Sequence, residues 1–477
     1  MSISANSQHF VQRAGLVAGP LAALCFLIFG GENMPPDARA VLAVAILMAL
    51  WWVSEAIPLG ASSLLPMILI PVFTSLPFAS VSAPYASNIV YLFMGGMMLG
   101  LGLERSGLHR RIALRMLVMV GASPRRLVAA FMGVTALLSM WLSNSATTMM
   151  LAPIGLSVIQ GMREEGREDT AFAAALMLGI AYAASIGGMG TPMGTPTNLV
   201  MTGFVKTHYG IDIGMLEWMR MAVPVLLLLL PLAWVWLCFG AMRVSAVELP
   251  GGRQLLRARL AALGPLRAAE WRAGLVFGAV ALCWISRPLL ASSLGLPGLD
   301  DGVIALAGAI VLFLLPDGAG RGGRLMDWET ARSLPWDILL LLGGGLSLAA
   351  AISATNADAP LSAWLGGNAI PVGFVLLFAL SAMIVFSGEL TSNVAAAAAI
   401  MPVLAVLCAT RGLEPLPVFM VAILSASCGF MLPVATPPNA IAYSSGHVRM
   451  PQMIRAGLGL NLLGITVIVS WIGWTVA

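Results

Sequence analysis

The sequence predicts an all-α integral membrane protein with an internal duplication. Three observations predict it: the composition, a series of apolar runs of membrane-spanning length, and polar landmarks that recur in the same order in both halves. Of the 477 residues, 59% are hydrophobic and 10% are charged, and the mean hydropathy is +0.93. A soluble domain carries about 25% charged residues. Soluble enzymes, disordered scaffolds and nucleic-acid-binding proteins are therefore excluded.

The formal net charge of +4 does not indicate a nucleic-acid partner. Lys206 is the only lysine among the 25 cationic residues, and the arginines lie in short polar gaps between the apolar runs. This pattern is typical of arginines at a membrane surface. The expected surroundings of the chain are a lipid bilayer.

The apolar runs extend from one end of the chain to the other. A spanning helix needs about 20 apolar residues. Runs near this length lie at 14–30, 39–57, 58–77, 87–103, 171–186, 217–240, 273–290, 302–316, 335–352, 369–386, 417–432 and 457–475. Two further apolar segments, 127–158 and 387–408, are interrupted by polar clusters. The most polar stretch, 241–272, is rich in arginine and is predicted to be a connector on the cytoplasmic surface.

Three landmarks indicate the duplication. A glycine-rich segment (FMGG at 93–96, LLGGG at 341–345) precedes a Ser-Asn pair, and Gly96 to Asn144 and Gly345 to Asn393 both span 48 residues. A Thr-Pro-x-Asn segment then follows in each half, ending at Asn198 and Asn439. The first two landmarks are offset by 249 residues and the third by 241, so the halves differ by one small deletion.

A cluster of polar side chains interrupts the first broken segment. Ser143, Asn144 and Ser145 are followed closely by Thr147 and Thr148, with apolar residues on both sides. Polar or irregular backbone at membrane depth is tolerated only where it is buried in protein or lines a cavity. We interpret the segment as a re-entrant hairpin, in which two half-helices meet at a Ser-Asn turn. The alternative is a Ser/Thr-rich contact between helices, but the second copy favours the hairpin.

Two segments rich in glycine and proline, 186–198 and 431–439, interrupt apolar runs at matching positions. Proline removes a backbone donor and glycine loosens a helix, so carbonyl groups are released from helical hydrogen bonds. Together with hydroxyl and amide oxygens, these carbonyls predict a nearly neutral, all-oxygen shell. Such a shell suits a monovalent cation, because divalent ions usually recruit carboxylates. Paired broken segments in two halves indicate the binding site of a transporter.

These motifs resemble the divalent anion/sodium symporter family (DASS, solute carrier family 13, the INDY-type transporters) over nearly the whole chain. The matching segments are 51–58 (WWVSEAIP), 93–96 (FMGG), 103–107 (LERSG), 143–145 (SNS), 392–394 (SNV) and 432–440 (LPVATPPNA). The resemblance implies an all-α inverted-repeat transporter with about 11 transmembrane helices, two re-entrant hairpins and an elevator-type alternating-access mechanism. It also implies a homodimer, and we expect a multi-pass protein of the bacterial inner (cytoplasmic) membrane.

The resemblance also implies site residues by position. The implied substrate-binding residues lie at the hairpin tips and the facing loops: Ser143, Asn144, Ser145, Thr195, Pro196, Ser392, Asn393, Val394, Thr436 and Pro437. The implied Na⁺ ligands form two sites per protomer: Ser139, Ser143, Asn144 and Gly194 in the first half, and Gly388, Thr391, Asn393 and Ala435 in the second. No catalytic residue is implied.

The chain departs from the family pattern at three positions. The threonine of each tip is Ser145 in the first half and Val394 in the second, and Gly388 replaces a hydroxyl-bearing residue before Glu389. Serine keeps a hydroxyl, whereas valine and glycine do not, so substrate preference and sodium stoichiometry stay open. Glu389 and Glu55 both lie in apolar context. We interpret them as structural carboxylates at a hairpin or helix end, with ion or proton coupling as the alternative.

Five parts make up the predicted organisation of the chain. They are N-terminal scaffold and dimerisation helices (1–77), a first repeat with its hairpin at 127–158 (78–240), the cytoplasmic connector (241–272), scaffold helices (273–334), and a second repeat with its hairpin at 387–408 (335–477).

The predicted function is sodium-coupled symport of a small anion, either a di- or tricarboxylate or a sulfate-like oxyanion. One alternative is a sodium-independent anion exchanger; another, from a different class, is an anion channel or a membrane enzyme. An enzyme would show clustered titratable groups in its polar core, whereas the hairpin tips carry hydroxyls and amides. The chain is therefore not expected to be an enzyme.

Overall fold

The regular structure of the chain is helical. The computed structural model describes residues 5–30, 34–120, 123–164, 169–245, 252–296, 298–320, 322–357, 359 and 373–475. Within these ranges the only β-type pairing is an isolated bridge between Pro316 and Arg324. The predicted all-α fold class is confirmed for the described part of the chain.

Twenty-two α-helices are described, and we number them in chain order. They are α1 (Ala5–Phe29), α2 (Pro36–Ser54), α3 (Leu59–Ser62), α4 (Leu65–Phe73), α5 (Phe78–Ser82), α6 (Asn88–Ser106), α7 (Leu108–Met119), α8 (Pro124–Ser139), α9 (Asn144–Glu164), α10 (Thr170–Gly188), α11 (Pro196–Tyr209), α12 (Met215–Val235), α13 (Gly252–Ala262), α14 (Ala268–Leu294), α15 (Asp301–Leu314), α16 (Trp328–Ala331), α17 (Trp336–Thr355), α18 (Phe374–Gly388), α19 (Asn393–Arg411), α20 (Pro415–Ala426), α21 (Pro437–Ser444) and α22 (Met450–Thr475). A 3₁₀ turn at Ala83–Ala86 precedes α6, and a π-helical turn at Trp236–Ala241 extends α12.

The chain is a multi-pass integral membrane protein. Nine helical segments of the described ranges are long and apolar enough to cross a membrane, among them Pro36–Ser54, Thr170–Gly188 and Met450–Trp474. Shorter apolar helices, such as α15, α18 and α20, lie between them. Most of these shorter helices come from runs that the sequence predicted as spans.

The run at 58–77 is not one helix. It divides into α3 and α4, because the hydroxyls of Ser62 and Ser63 donate to the carbonyl of Leu59 and the indole of Trp52 donates to Ser63 Oγ (3.2 Å). These bonds, with proline at the start of α4, hold the chain in a bend.

The two broken segments have the same helix layout. In the first, α8 ends at Ser139 and α9 begins at Asn144; in the second, α18 ends at Gly388 and α19 begins at Asn393. Both turns therefore contain four residues. In the second copy the first arm begins at residue 374, so most of the run predicted as a separate span at 369–386 belongs to that arm.

The helix α10 lies at the centre of the molecule. Every residue from Phe172 to Gly188 is buried, and the helix packs against α8, α9, α12 and α21. The ring of Tyr182 on α10 contacts the ring of Phe430 in an edge-to-face arrangement, with centroids 5.2 Å apart. The two copies of the duplicated segment therefore meet around this helix.

A buried ion pair attaches part of the predicted connector to the helical body. Arg111 on α7 donates from Nε to Glu270 Oε1 (2.8 Å), and the exposed fraction of each side chain is 4%. Its other guanidinium nitrogens donate to three successive carbonyls, those of Leu263, Gly264 and Pro265. The polar end of α13 is thereby held against α7.

Candidate cation and anion site

Each copy contains a helix break that is closed by an asparagine amide. In the first copy α10 ends at Gly188 and α11 begins at Pro196, and Asn198 Nδ2 donates to the carbonyls of Gly188 (2.9 Å) and Thr191 (2.8 Å). The amide replaces the backbone donors that the break removes. Proline at the first helical position fits this geometry, because its missing N–H would have no partner there.

The second copy repeats these bonds at an offset of 241 residues. Asn439 Nδ2 donates to the carbonyls of Gly429 (2.9 Å) and Leu432 (3.0 Å), and α21 begins at Pro437. The side chains of Asn198 and Asn439 have no exposed area. In both, the Oδ1 atom is buried without a hydrogen-bond partner among the described residues. The duplication read from the sequence is therefore present in the bonding of the two loops.

Oxygen atoms converge at the first hairpin tip. The Asn144 amide atom that faces the loop lies 2.6 Å from Ser139 Oγ, 3.0 Å from the carbonyl oxygen of Ala184 and 3.3 Å from that of Gly194. Ser139, which is fully buried, also donates to the Ala184 carbonyl (2.8 Å). An amide nitrogen at this place would have all three oxygens within hydrogen-bond distance and could donate its two hydrogens to two of them. An amide oxygen there would instead complete a group of four oxygens around a cation.

Thr191 ties this tip to the loop that faces it. Its hydroxyl donates to the carbonyl of Met140 in the turn and accepts from the backbone N–H of Gly194 (3.1 Å). Ser143 and Ser145 are nearby in the turn and in the first turn of α9. Ser143 is exposed and accepts from the N–H of Ala146, whereas Ser145 is half-buried.

The second tip contains fewer oxygen contacts. Asn393 Oδ1 is buried without a hydrogen-bond partner among the described residues. Gly388 occupies the position of Ser139, at the same offset of 249 as Asn144 and Asn393, and supplies no hydroxyl. Thr391 donates to the carbonyl of Ser387 (3.2 Å) within its own turn. Ser392 precedes α19 without capping it through its side chain, and Val394 packs partly buried against the apolar core.

Glu389 joins the second turn to the second loop. Its Oε1 accepts from the backbone N–H groups of Phe430 (2.8 Å) and Met431 (2.9 Å) and from Asn461 Nδ2 (2.7 Å). Its Oε2 accepts from the N–H of Leu432 (3.0 Å), and the residue is 4% exposed. These bonds are the ones expected of a structural carboxylate at a helix end. Glu55 differs, because it is exposed at the end of α2 with a left-handed φ of 48°.

The structure thus brings part of the predicted set together within each half. Ser139, Asn144 and Gly194 share one cluster, and Gly388 lies beside Asn393 in the other. Thr195 and Thr436 are the residues that precede α11 and α21; the hydroxyl of Thr436 accepts from the N–H of Asn439, while that of Thr195 lies 3.4 Å from Thr197 Oγ1.

Two features of the site were missed by the sequence reasoning. The carbonyl of Ala184 carries no sequence signal, because any residue on α10 supplies one. The clamping amides of Asn198 and Asn439 had a signal, since both asparagines stand at matching positions of the third landmark.

The first cluster fits a monovalent cation. With the Asn144 amide oxygen turned toward the loop, the cluster consists of neutral oxygens from one hydroxyl, one amide and two carbonyls, and no carboxylate is among them. Divalent ions usually recruit carboxylates. The second tip carries the equivalent amide, Asn393, without the hydroxyl.

Comparison with known proteins agrees with this chemistry. The family described as "Sodium:sulfate symporter transmembrane region" matches residues 10–476. The "Sodium-dependent dicarboxylate transporter SdcS" of Staphylococcus saprophyticus is 38% identical, over 97% of this chain and 91% of that protein. The protein of the same name from Staphylococcus aureus (strain USA300) is 37% identical, over 96% of this chain and 90% of that protein.

Two solved structures share the fold at low sequence identity. The YdaH transporter of Alcanivorax borkumensis has a TM-score of 0.59 and 15% identity, with 93% of this chain and 98% of that chain covered. MtrF of Neisseria gonorrhoeae has a TM-score of 0.59 and 13% identity, with 96% and 97% covered. Likeness at this identity concerns the fold alone. The family match over nearly the full length, and relatives above 30% identity, place this chain in the sodium:sulfate symporter family, to which the divalent anion/sodium symporters belong.

Proposed function

We propose that the protein is a sodium-coupled symporter of small anions in the bacterial inner (cytoplasmic) membrane. Di- or tricarboxylates and sulfate-like oxyanions are the substrate classes. The observation that carries the proposal is the convergence of three oxygens, Ser139 Oγ and the carbonyls of Ala184 and Gly194, on the Asn144 amide, at the point where the turn between α8 and α9 meets a broken helix. The relatives named as sodium-dependent dicarboxylate transporters support the dicarboxylate class.

The helix ends explain how one site can take both ions. The N-termini of α9, α11, α19 and α21 lie at the two tips and the two breaks, and they offer free N–H groups to an anion. The C-termini of α8, α10, α18 and α20 lie beside them and offer carbonyls to cations. Sodium bound between tip and loop would hold both in place, and the N–H groups of the adjoining helices would then be ordered for the anion.

The finer parts of the proposal concern architecture. The helix pairs α8–α9 and α18–α19 are the two re-entrant hairpins, and about 11 helices span the membrane. The hairpins and broken helices form a transport unit that moves against the scaffold (1–77 and 273–334) in an elevator-type mechanism. Two such protomers form a homodimer. The equal four-residue turns and the repeated amide clamps support this symmetric assignment.

The proposed ligands are those at the tips and loops. Substrate is bound by Ser143, Asn144, Ser145, Thr195 and Pro196 with Ser392, Asn393, Val394, Thr436 and Pro437. Two sodium ions are bound by Ser139, Ser143, Asn144 and Gly194, and by Gly388, Thr391, Asn393 and Ala435. The carbonyl of Ala184 joins the first set.

Uptake into proteoliposomes tests the function. An inward sodium gradient should drive uptake of labelled succinate, unlabelled sulfate should be assayed as a competitor, and potassium or choline gradients should drive no uptake. The variant Asn144→Ala should abolish sodium-driven uptake, while Thr466→Ala, at an exposed hydroxyl on α22, should retain it. Uptake that is equally fast in choline would refute symport and favour a sodium-independent exchanger. Counterflow of labelled against unlabelled succinate without net current separates a transporter from a channel.

A further inference from the structure

The two proposed cation clusters of this chain are not equivalent, although the asparagine amides that close their loops make equivalent hydrogen bonds. Equivalent positions differ by 249 residues in the hairpins and by 241 in the loops. Ser139 therefore corresponds to Gly388, Asn144 to Asn393, and Gly194 to Ala435. Two of these three pairs differ in side chain: Gly388 lies beside Asn393, and Ala435 lies in the loop beside Gly429.

The first difference is a missing hydroxyl. Ser139 Oγ lies 2.6 Å from the Asn144 amide and donates to a carbonyl of α10. Gly388 is buried and makes no such contact, and Asn393 Oδ1 is left buried without a partner among the described residues. A Cβ placed at Gly388 would lie 3.2 Å from that Oδ1 and would meet no other atom within 4 Å outside the adjoining residues and the backbone of its own helix. A serine at this position therefore requires the Asn393 amide to shift by a few tenths of an ångström and meets no other obstacle.

The second difference is the distance between tip and loop. A Cβ placed at Gly188 would lie 2.5 Å from Asn144 Oδ1, so the first loop is pressed against its tip. A Cβ placed at the equivalent Gly429 would lie 3.1 Å from Ala435 Cβ and 3.8 Å from the Gly388 carbonyl oxygen, and no atom of Asn393 is among its three nearest neighbours.

The methyl group of Ala435 accounts for part of this difference. A Cβ at Gly194 would lie 2.4 Å from the Gly188 carbonyl oxygen, so the first loop can close only around a glycine. In the second loop an alanine stands at that position, and its methyl group lies where the first loop has backbone contact. At this position the second loop lies farther from its tip than the first loop does, and the second cluster also lacks the hydroxyl.

We propose that the two sites bind sodium unequally, and that the cluster at Asn393 is the weak site that sets the sodium concentration needed for transport. The inference rests on the proposed symport. A cation in the second cluster lacks the hydroxyl that Ser139 supplies in the first. One polar contact of this kind corresponds to about a fivefold difference in affinity.

Three variants test the proposal. Gly388→Ser restores the hydroxyl, Gly388→Ala adds a methyl group without the hydroxyl, and Ser139→Gly creates the same deficiency in the first cluster. Each purified variant is first checked for a single symmetric peak in size-exclusion chromatography. Sodium binding is then followed as the rise in unfolding temperature with sodium concentration, which does not depend on transport. Sodium-driven succinate uptake in proteoliposomes is measured in parallel.

Gly388→Ser should lower the half-maximal sodium concentration about fivefold in both measurements, while Gly388→Ala should not lower it. Ser139→Gly should raise it by fivefold or more. If Gly388→Ser matches the wild type in both measurements while Ser139→Gly shows its loss, the inequality of the sites is refuted and the symport stands. If sodium neither stabilises the wild type nor drives its uptake, the proposed function itself fails, and this inference with it.

Discussion

Replacing Glu389 by glutamine should destabilise the protein by loosening the second loop. The carboxylate accepts four hydrogen bonds, three of them from the successive backbone N–H groups of Phe430, Met431 and Leu432. The fourth donor is Asn461 on α22. A glutamine has the same shape, so no cavity forms and the effect reports the loss of charge and of one acceptor.

The magnitude follows from these bonds. The glutamine oxygen can accept from the three donors that Oε1 has in the wild type. The NH₂ group of the glutamine then faces the N–H of Leu432, which is left buried without an acceptor at a cost of about 1–3 kcal/mol. Hydrogen bonds to an ionised acceptor are roughly twice as strong as neutral ones, so the three remaining bonds also weaken. Removing a buried charge offsets part of this loss. We expect a net decrease of about 3 kcal/mol in the free energy of unfolding.

Thermal unfolding in detergent measures the effect. With an unfolding entropy of about 2.1 cal/mol/K per residue, a loss of 3 kcal/mol lowers the Tm of a chain of this length by about 3 °C. Glu55→Gln is the matched control, because Glu55 is an exposed carboxylate in similarly apolar sequence, and its Tm should stay within 1 °C of wild type by the same scaling.

A double-mutant cycle with Asn461→Ala separates the contact from general damage. Since Asn461 Nδ2 lies 2.7 Å from Oε1, the two substitutions should be less than additive. Equal Tm values for Glu389→Gln and Glu55→Gln, or strict additivity with Asn461→Ala, would refute the assignment of Glu389 as the group that holds the second loop.

Three further predictions concern substrate preference, the connector and pH. Val394→Thr adds a hydroxyl at the second tip and should raise the preference for succinate over sulfate about tenfold, or ~1.4 kcal/mol. Competition uptake measures this preference. An unchanged ratio would contradict the idea that the second half of the anion site lacks a side-chain donor. Arg111→Met leaves Glu270 buried without its cation and should lower the free energy of unfolding by about 3–5 kcal/mol. Replacing both residues by methionine should restore only part of this loss, because three backbone carbonyls remain without the guanidinium donors. Thermal unfolding compares the single and the double variant. Hydrogen bonds from Thr330 and Arg105 lower the pKa of Asp327 to about 2. The ionised carboxylate therefore stabilises the folded protein fully above its unfolded pKa of about 3.9, and this stabilisation is lost as the pH falls through 2. Plots of Tm against pH for the wild type and Asp327→Asn should run parallel from pH 5 to 8 and converge below 4.

Much of the frame could be predicted because it is encoded by spacing. The common offset of Gly96 and Asn144 in the two copies corresponds to two turns of equal length in the structure. Proline and glycine at fixed positions predicted the break after Gly188, since proline interrupts a helix and glycine weakens one. In the second copy the helix ends at Ala426, inside the run predicted as a span at 417–432 and before the predicted broken segment 431–439. Residue spacing and helix interruption depend on neighbouring residues, so a local sequence pattern can predict them.

What the sequence did not predict depends on contacts between distant segments. The division of 58–77 into two helices requires Trp52 to reach Ser63, and no propensity in the run itself indicates it. The carbonyl of Ala184 faces Asn144 only because α8 and α10 pack together. The sequence also did not predict that α18 begins at Phe374 as the helix before the second turn. This helix is as hydrophobic as a spanning helix, so the run was predicted as a separate span.

In each copy, different residues hold the shape of the loop and supply the side-chain ligands at the tip. The shape of each loop is held by one amide, Asn198 or Asn439, through the same two carbonyls in both copies. Because these bonds do not involve the tip residues, Ser139 and its counterpart Gly388 can differ without changing the loop. The set of oxygen ligands can then change in one copy alone, because the loop backbone that carries the carbonyls is held by the asparagine and not by the tip residue. The asymmetry at Gly388 and Val394 is therefore compatible with an intact fold, and in the proposed symporter its consequences would fall on ion and anion affinity.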